Sequence, residues 1–278
     1  MSKQPAPNAF SMTASTLKPP VKAEEECISF QKLSSAEPVK YIKVAVHGQQ
    51  KAGKTRFGLT APGPVYVIAT EPGLRPLIKL FPDKEVYFAD VYVVDPTEVF
   101  EVDPIKTLEK IDSAVKIIRK MVAEKPDSVG TIVFDNVTDL WKVVQEWMKM
   151  DILKIDKTAR VRQQWDWGYA NTKYQNIIMQ LLSLPCHLVL TGQDKEEYSG
   201  PGDASGVYSA RWQSQTPYLV DIVLGLVKMR DPNSGKTRYI ANIEDSRHMD
   251  EDLEPIAGKT IENLDFTKLL ELLNKKKE

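Results

Sequence analysis

Cysteine is scarce in this chain: two residues in 278, Cys27 and Cys186. That excludes a disulfide framework and a zinc cluster. No apolar run is long enough to cross a bilayer, and the polar, proline-containing first residues hold no signal-peptide core. The expectation is a protein without a membrane span, located in the cytoplasm. An excess of either charge is also missing, since 37 Lys and Arg against 38 Asp and Glu leave a formal net charge of -1. This does not exclude a nucleic-acid ligand, because basic residues can be grouped locally while acidic ones elsewhere cancel them. Internal repeats and a clean interdomain linker are lacking too. With 42% hydrophobic and 27% charged residues, the composition is that of an ordinary globular protein with one large domain.

Two regions differ in pattern. Residues 1 to 38 carry Pro5, Pro7, Pro19, Pro20 and Pro38 among Ser, Thr, Lys and Glu without a hydrophobic period, which predicts a disordered or loosely docked arm. From Val39 onward, short apolar runs alternate with amphipathic segments, the signature of an α/β sheet flanked by helices. Strands are expected at 41–47, 65–70, 86–94, 129–134, 186–192 and 219–228, and helices at 53–60, 104–124, 137–152, 167–183 and 265–275. Pro62 and Pro64 keep the first helix short. Ile105, Leu108, Ile111, Val115 and Ile118 give the second its apolar stripe, with Pro104 in its first turn. Asp231 to Gly235 is a turn sequence between Leu226-Val227-Lys228 and Tyr239-Ile240-Ala241, so a C-terminal β-hairpin is expected there. The run Lys275 to Lys277 reads as a solvated helix end.

The most informative segment is Gly48-Gln49-Gln50-Lys51-Ala52-Gly53-Lys54-Thr55, a complete G-x-x-x-x-G-K-T phosphate loop. A strand-like run, Tyr41 to Val46, precedes it, and Lys54-Thr55-Arg56-Phe57 opens a helix, which is the context the motif requires. Gly48 and Gly53 let the backbone curl so that its N–H groups face phosphate oxygens. Lys54 would reach the β- and γ-phosphates, and the Thr55 hydroxyl would ligate Mg2+. ATP and Mg2+ are therefore the expected cofactors.

Three polar residues end apolar strands. Asp135, after Thr131-Ile132-Val133-Phe134, is the candidate for the carboxylate behind the magnesium; capping the helix that begins near Val137 is its other reading, for which Asn136 competes. Glu71, after Val65 to Ala69, stands where the carboxyl edge of a parallel sheet places ligands, and could orient and deprotonate the attacking water. A solvated loop glutamate is the alternative. Gln193, after Leu188 to Thr191, could sense the γ-phosphate, or could be simply a polar loop residue.

In that order the pieces resemble the RecA-like core of the RecA/RadA recombinases, and within it the phage-type ATPases associated with single-strand annealing. The resemblance runs over about residues 40 to 273. It implies a RecA-like P-loop NTPase core: a mostly parallel central sheet, flanking helices and a C-terminal β-hairpin. Thr70-Glu71-Pro72-Gly73 resembles the family's T-E-G segment, which assigns water activation to Glu71, with Pro72 where glycine is common. Thr191-Gly192-Gln193 is similar to the strand end that links nucleotide state to DNA. Asp166-Trp167-Gly168, Leu184-Pro185 and Glu244 to Arg247 follow in the phage-type order, whereas Lys51 departs from the small residue usual at its place.

Two stretches correspond in order to DNA-binding loops. Leu153 to Trp165 contains Lys154, Lys157, Arg160 and Arg162; Asp194 to Thr216 is Gly- and Ser-rich and contains Tyr208, Arg211 and Trp212. Lys and Arg suit phosphates, while aromatic and guanidinium planes suit unpaired bases. A solvated helix extension is the alternative for the first stretch. The resemblance further implies a homo-oligomer with nucleotide between subunits and a basic residue acting across the interface, Arg247 first, with Lys228 and Arg230 as rivals. It also implies single-stranded DNA as ligand, leaves a single-strand-binding protein as an open partner of the arm, and, for a viral chain, places the protein in the host cytoplasm. The expected function is a DNA-stimulated ATPase of annealing or recombination. Two rival functions stay open, a nucleotide-dependent protein-interaction switch without DNA affinity and a small-molecule kinase.

Overall fold

The computed structural model describes residues 40–95, 101–200, 203–230, 235–248 and 256–274. The arm at 1 to 38, the turn residues Asp231 to Ser234 and Lys275 to Lys277 lie outside the described residues. Among the described residues, strands β1 (Lys43–Gly48), β2 (Val65–Ala69), β3 (Val86–Asp90), β4 (Thr131–Asp135), β5 (His187–Gly200), β6 (Asp203–Ala210), β7 (Ile222–Arg230), β8 (Thr237–Ser246) and β9 (Thr260–Glu262) are interspersed with seven α-helices. These are α1 (Lys54–Leu59), α2 (Arg75–Ile78), α3 (Pro104–Glu124), α4 (Val137–Trp147), α5 (Trp167–Leu182), α6 (Thr216–Leu219) and α7 (Phe266–Asn274).

The sheet order is β3-β2-β4-β5-β1-β7-β8-β9, with β6 paired to β5 beyond this path. Along this path the strands from β3 to β7 run parallel, β8 is antiparallel to β7, and β9 is antiparallel to β8. One strand, β5, therefore stands between the phosphate-loop strand β1 and the Asp135 strand β4. Connections through helices demand this parallel arrangement, and the C-terminal hairpin expected from the turn at 231–235 supplies the antiparallel β7–β8 pair. The architecture is the one expected from the order of the motifs: a mostly parallel central sheet flanked by helices, with an antiparallel C-terminal hairpin.

Strand alternation divides the core. Ala45, Ile68, Ile132, Phe134, Leu188 and Leu190 face one layer, where α3, α4 and α5 bring Leu108, Ile111, Leu140, Val144, Tyr174 and Ile178. Val44, Val46, Val67, Val133 and Val189 face the other, against Phe57 and Leu59 of α1 and Phe266 and Leu269 of α7. Continuous apolar runs in the central strands follow from burial on both faces.

Local signals set several boundaries. Asp103 caps α3, its side chain accepting from the Lys106 N–H at 3.0 Å, with Pro104 in the first turn where its missing N–H costs nothing. The helix expected at 137–152 is α-helical only to Trp147 and closes with a π-helical turn over Met148–Ile152. The larger departure is at 194–216, expected as a long loop. It is largely a β-hairpin: β5 continues past the sheet to Gly200 and β6 returns antiparallel, pairing Asp194 with Ala210 and Glu196 with Tyr208. Gly and Ser suggested a loop, but Gly200-Pro201-Gly202-Asp203 is turn chemistry between two strand-capable runs containing Tyr198, Val207 and Tyr208. Among the described residues no helix is long and apolar enough to cross a membrane.

Candidate nucleotide site

The site lies at the carboxyl edge of the parallel strands, where β1, β2 and β4 end and β5 runs on past them. Gly48 closes β1 against β7, and a Cβ there would come within 2.4 Å of the Leu226 carbonyl oxygen, so only glycine fits. Gly53 precedes α1 at φ 100, in the left-handed region that favours glycine. Between them Gln49, Gln50 and Lys51 are exposed and Ala52 is buried; Lys51 adopts a φ of 63. The Lys54 ammonium lies along its own loop, donating to the Gly48 carbonyl at 2.8 Å and the Gln49 carbonyl at 2.9 Å. Burial lowers its pKa, and the charges of Asp135, Asp194 and Glu71 oppose that shift. The loop thus holds a partly desolvated cation among three carboxylates.

Asp135 joins the loop to the sheet. The Thr55 hydroxyl donates to Asp135 Oδ2 at 2.7 Å, and the hydroxyl of Thr191, its register neighbour on β5, donates to Oδ1. The two readings of this segment separate cleanly. The cap belongs to Asn136, whose side chain accepts from the Asp139 N–H at 2.8 Å, which leaves the Asp135 carboxylate facing Thr55. Asn136→Ala should lower stability by about 1 kcal/mol, a fall in Tm of about 2–4 °C by thermal denaturation.

The same corner holds Glu71. Thr70 ties it down: its N–H donates to the Asp135 carbonyl at 2.7 Å and its hydroxyl accepts from the Asn136 N–H at 2.9 Å. Glu71 is exposed by surface, yet its carboxyl has a raised pKa. Burial is the main cause, followed by the charges of Asp139 and Asp135; a hydrogen bond from Asn136 and the charge of Lys54 act the other way. Asp139, a member of this group that sequence reasoning missed, is raised as well, chiefly by burial. Its only sequence signal is its place three residues after the capping Asn136. Gln193 pairs in register with Gly48, and its N–H donates to the Thr138 hydroxyl at 2.9 Å. The candidates Lys54, Thr55, Glu71, Asp135 and Gln193 thus converge on one corner.

Among the described residues, no group of three or more His, Cys, Asp or Glu could hold a metal alone. The donor set fits Mg2+ of the kind that takes one hydroxyl and phosphate oxygens, with waters and a carboxylate behind. A cleft continues from the loop between α1, β8 and the segment before α7, lined by Gly53, Arg56, Tyr239, Asn263 and Asp265.

Residues 40–250 match the AAA domain family AAA_24. The chain belongs to that family. A KaiC-like protein of the hyperthermophilic archaeon Pyrococcus horikoshii OT3 is similar in structure, with a TM-score of 0.41 and 13% identity over 80% of this chain and 84% of that one. A comparison with curated proteins returned no match. The protein is a P-loop ATPase of the AAA domain family.

The remaining candidates of the AAA domain lie elsewhere. Arg247 follows β8 at the opposite edge of the sheet, where it pairs with Asp221 at 3.7 Å and donates to the Tyr218 carbonyl. Lys228 and Arg230 are exposed at the carboxyl end of β7, the edge shared with the phosphate loop. In the 153–165 stretch, Arg160 and Arg162 are exposed and Trp165 is 73% exposed, so the indole is turned outward. Lys154 pairs with Asp151 at 3.1 Å, and Lys157 is largely covered, paired with Glu101. On the hairpin Tyr208 is exposed, as is Arg211 at its base, whose N–H donates to the Gln193 carbonyl at 2.7 Å. Trp212 instead packs inward, edge-on to His47 with ring centroids 5.3 Å apart.

Proposed function

We propose that this AAA domain ATPase couples Mg-ATP to the binding of single-stranded DNA, in annealing or recombination. One observation carries the reading: β5 is a single strand that passes Thr191, bonded to Asp135, and Gln193, beside Gly48, and then leaves the sheet as half of the β5–β6 hairpin. A change at the γ-phosphate therefore has a direct covalent path to an exposed surface carrying Tyr208 and Arg211. The outward Trp165 with Arg160 and Arg162 offers a second surface of stacking and phosphate-binding groups.

In this reading Lys54 would hold the phosphates and Thr55 with Asp135 would hold Mg2+, which when bound would supply neutralisation of phosphate charge. Glu71 orients the water and takes its proton. The cleft beside Gly53 receives the base, with the Tyr239 ring as a wall. The homo-oligomer belongs to the proposal too: a basic residue from a neighbouring subunit, Lys228, Arg230 or Arg247, completes the site.

Titration of a fluorescent single-stranded oligonucleotide against salt, with and without Mg-ATP, tests the reading. We expect binding in Mg-ATP whose logarithm falls linearly with log salt, and a slope reduced by about 0.7 for each phosphate contact removed when Arg160, Arg162 and Arg211 are changed to alanine. Absence of salt-sensitive binding would favour a nucleotide-dependent switch that docks a protein. Turnover raised by a metabolite but not by DNA would favour a small-molecule kinase.

A further inference from the structure

His47 is the residue of β1 immediately before Gly48 and takes no part in the hydrolysis scheme. Its ring is nevertheless gripped from two strands. Nδ1 lies 2.7 Å from Asp194 Oδ1 on β5, and Nε2 lies 2.8 Å from Glu244 Oε2 on β8. The residue is only 6% exposed. With a carboxylate at each ring nitrogen, both nitrogens donate only as the imidazolium. Burial opposes that charge, but the hydrogen bonds and charges of Asp194 and Glu244 outweigh it and hold the pKa up at about 9.

The surrounding backbone leaves room for this arrangement and for little else. A Cβ on Gly225 would meet the Glu244 carboxylate at 2.3 Å and His47 Nε2 at 3.4 Å. Trp212, at the end of the hairpin, covers the ring. Asp194 also has a second client, because its charge acts on the Lys54 ammonium. It is thus bonded to the histidine and acts electrostatically on the lysine of the phosphate loop, near the point where β5 leaves the sheet.

We propose that His47, clasped between Asp194 and Glu244, is the positioning residue that binds the base of the β5–β6 hairpin to the phosphate loop, so that nucleotide occupancy and hairpin orientation change together. The proposal rests on the nucleotide reading above. Phosphate oxygens arriving at Lys54 alter the field around Asp194, and Asp194 passes the change to His47 and to the hairpin base. Linkage makes the effect reciprocal: a ligand that shifts the hairpin changes nucleotide affinity by the same factor.

Trp212 is a built-in reporter. In the full chain, the fluorescence change on adding Mg-ATP, measured with and without Trp212→Phe, isolates its response; displacement of a fluorescent ATP analogue reads affinity separately. The wild type should show a Trp212 response that fades as pH rises through about 9, where His47 loses its proton between Asp194, Glu244 and, through Asp194, Lys54. His47→Gln should lose most of the response and its pH dependence while nucleotide affinity stays within about threefold, since the side chain bonds Asp194 and Glu244 and none of the groups assigned to the nucleotide. Glu244→Gln, a half-exposed isosteric change, should weaken the response in the same direction and decides the matter if His47→Gln does not fold. A wild-type response in either folded variant overturns the proposal, as does a silent Trp212 in wild-type protein that binds Mg-ATP. Failure of the wild type to bind Mg-ATP removes the nucleotide reading, and the clasp's role with it, and the displacement assay identifies that outcome directly.

Discussion

Lys54→Ala is expected to abolish measurable Mg-ATP turnover in a protein that remains folded. The ammonium is already at the loop, held by the Gly48 and Gln49 carbonyls, and needs only to exchange those acceptors for phosphate oxygens. Preorganised charge of this kind in a partly desolvated corner is worth about a hundred- to a thousandfold in rate per donor, and Lys54 also contributes to binding. Folding should not suffer in proportion. Burial lowers the Lys54 pKa, so keeping its charge costs the fold something relative to the unfolded chain, and removal relieves that penalty while giving up two hydrogen bonds to the loop. Steady-state phosphate release with circular dichroism as control checks both halves. Normal turnover in the variant would end the assignment of this site.

Glu71→Gln should separate binding from chemistry. The amide keeps the shape and can still hydrogen-bond, but it cannot accept the proton of the attacking water, so kcat should fall by about a hundred- to ten-thousandfold with nucleotide affinity little changed. The pH profile gives a second check. Because burial and the charges of Asp139 and Asp135 raise the Glu71 pKa, the acid limb of the wild-type rate should lie above the ordinary glutamate range. The sign of its effect on stability is the reverse of the usual carboxylate. A raised folded pKa means the fold binds this proton more tightly than the unfolded chain does, so Glu71 weakens the fold above its folded pKa and the penalty lifts as pH falls through it. Glu71→Gln should therefore be no less stable than wild type at neutral pH. A variant with an unchanged kcat, measured at saturating Mg-ATP, contradicts the role of Glu71.

What was legible in the sequence was local. The phosphate loop is eight consecutive residues, Pro104 marks the first turn of α3, and Asp135 and Glu71 each end an apolar run. Each of these signals needs only neighbours along the chain. The sheet register then brings Thr191 to Asp135 and Gln193 to Gly48, which strand-end position suggested and spacing could not prove. The clasp was not legible: His47 meets Asp194 and Glu244 across 147 and 197 residues, and nothing near any of the three marks the pairing. The β5–β6 hairpin was hidden for another reason. Its strand residues Lys195 and Glu197 are exposed because the hairpin projects beyond the sheet, so the apolar run that marks a buried strand is absent there. Trp212 was read as a base-stacking group from its type and its basic neighbour, but the packing of its ring on His47 depends on tertiary structure.

ATP hydrolysis measured with and without single-stranded DNA, at fixed salt and saturating Mg2+, tests the central claim most directly. The account predicts turnover that depends on Lys54 and Glu71 and rises when DNA is added. A rate unchanged by single-stranded DNA would contradict the coupling of this site to DNA.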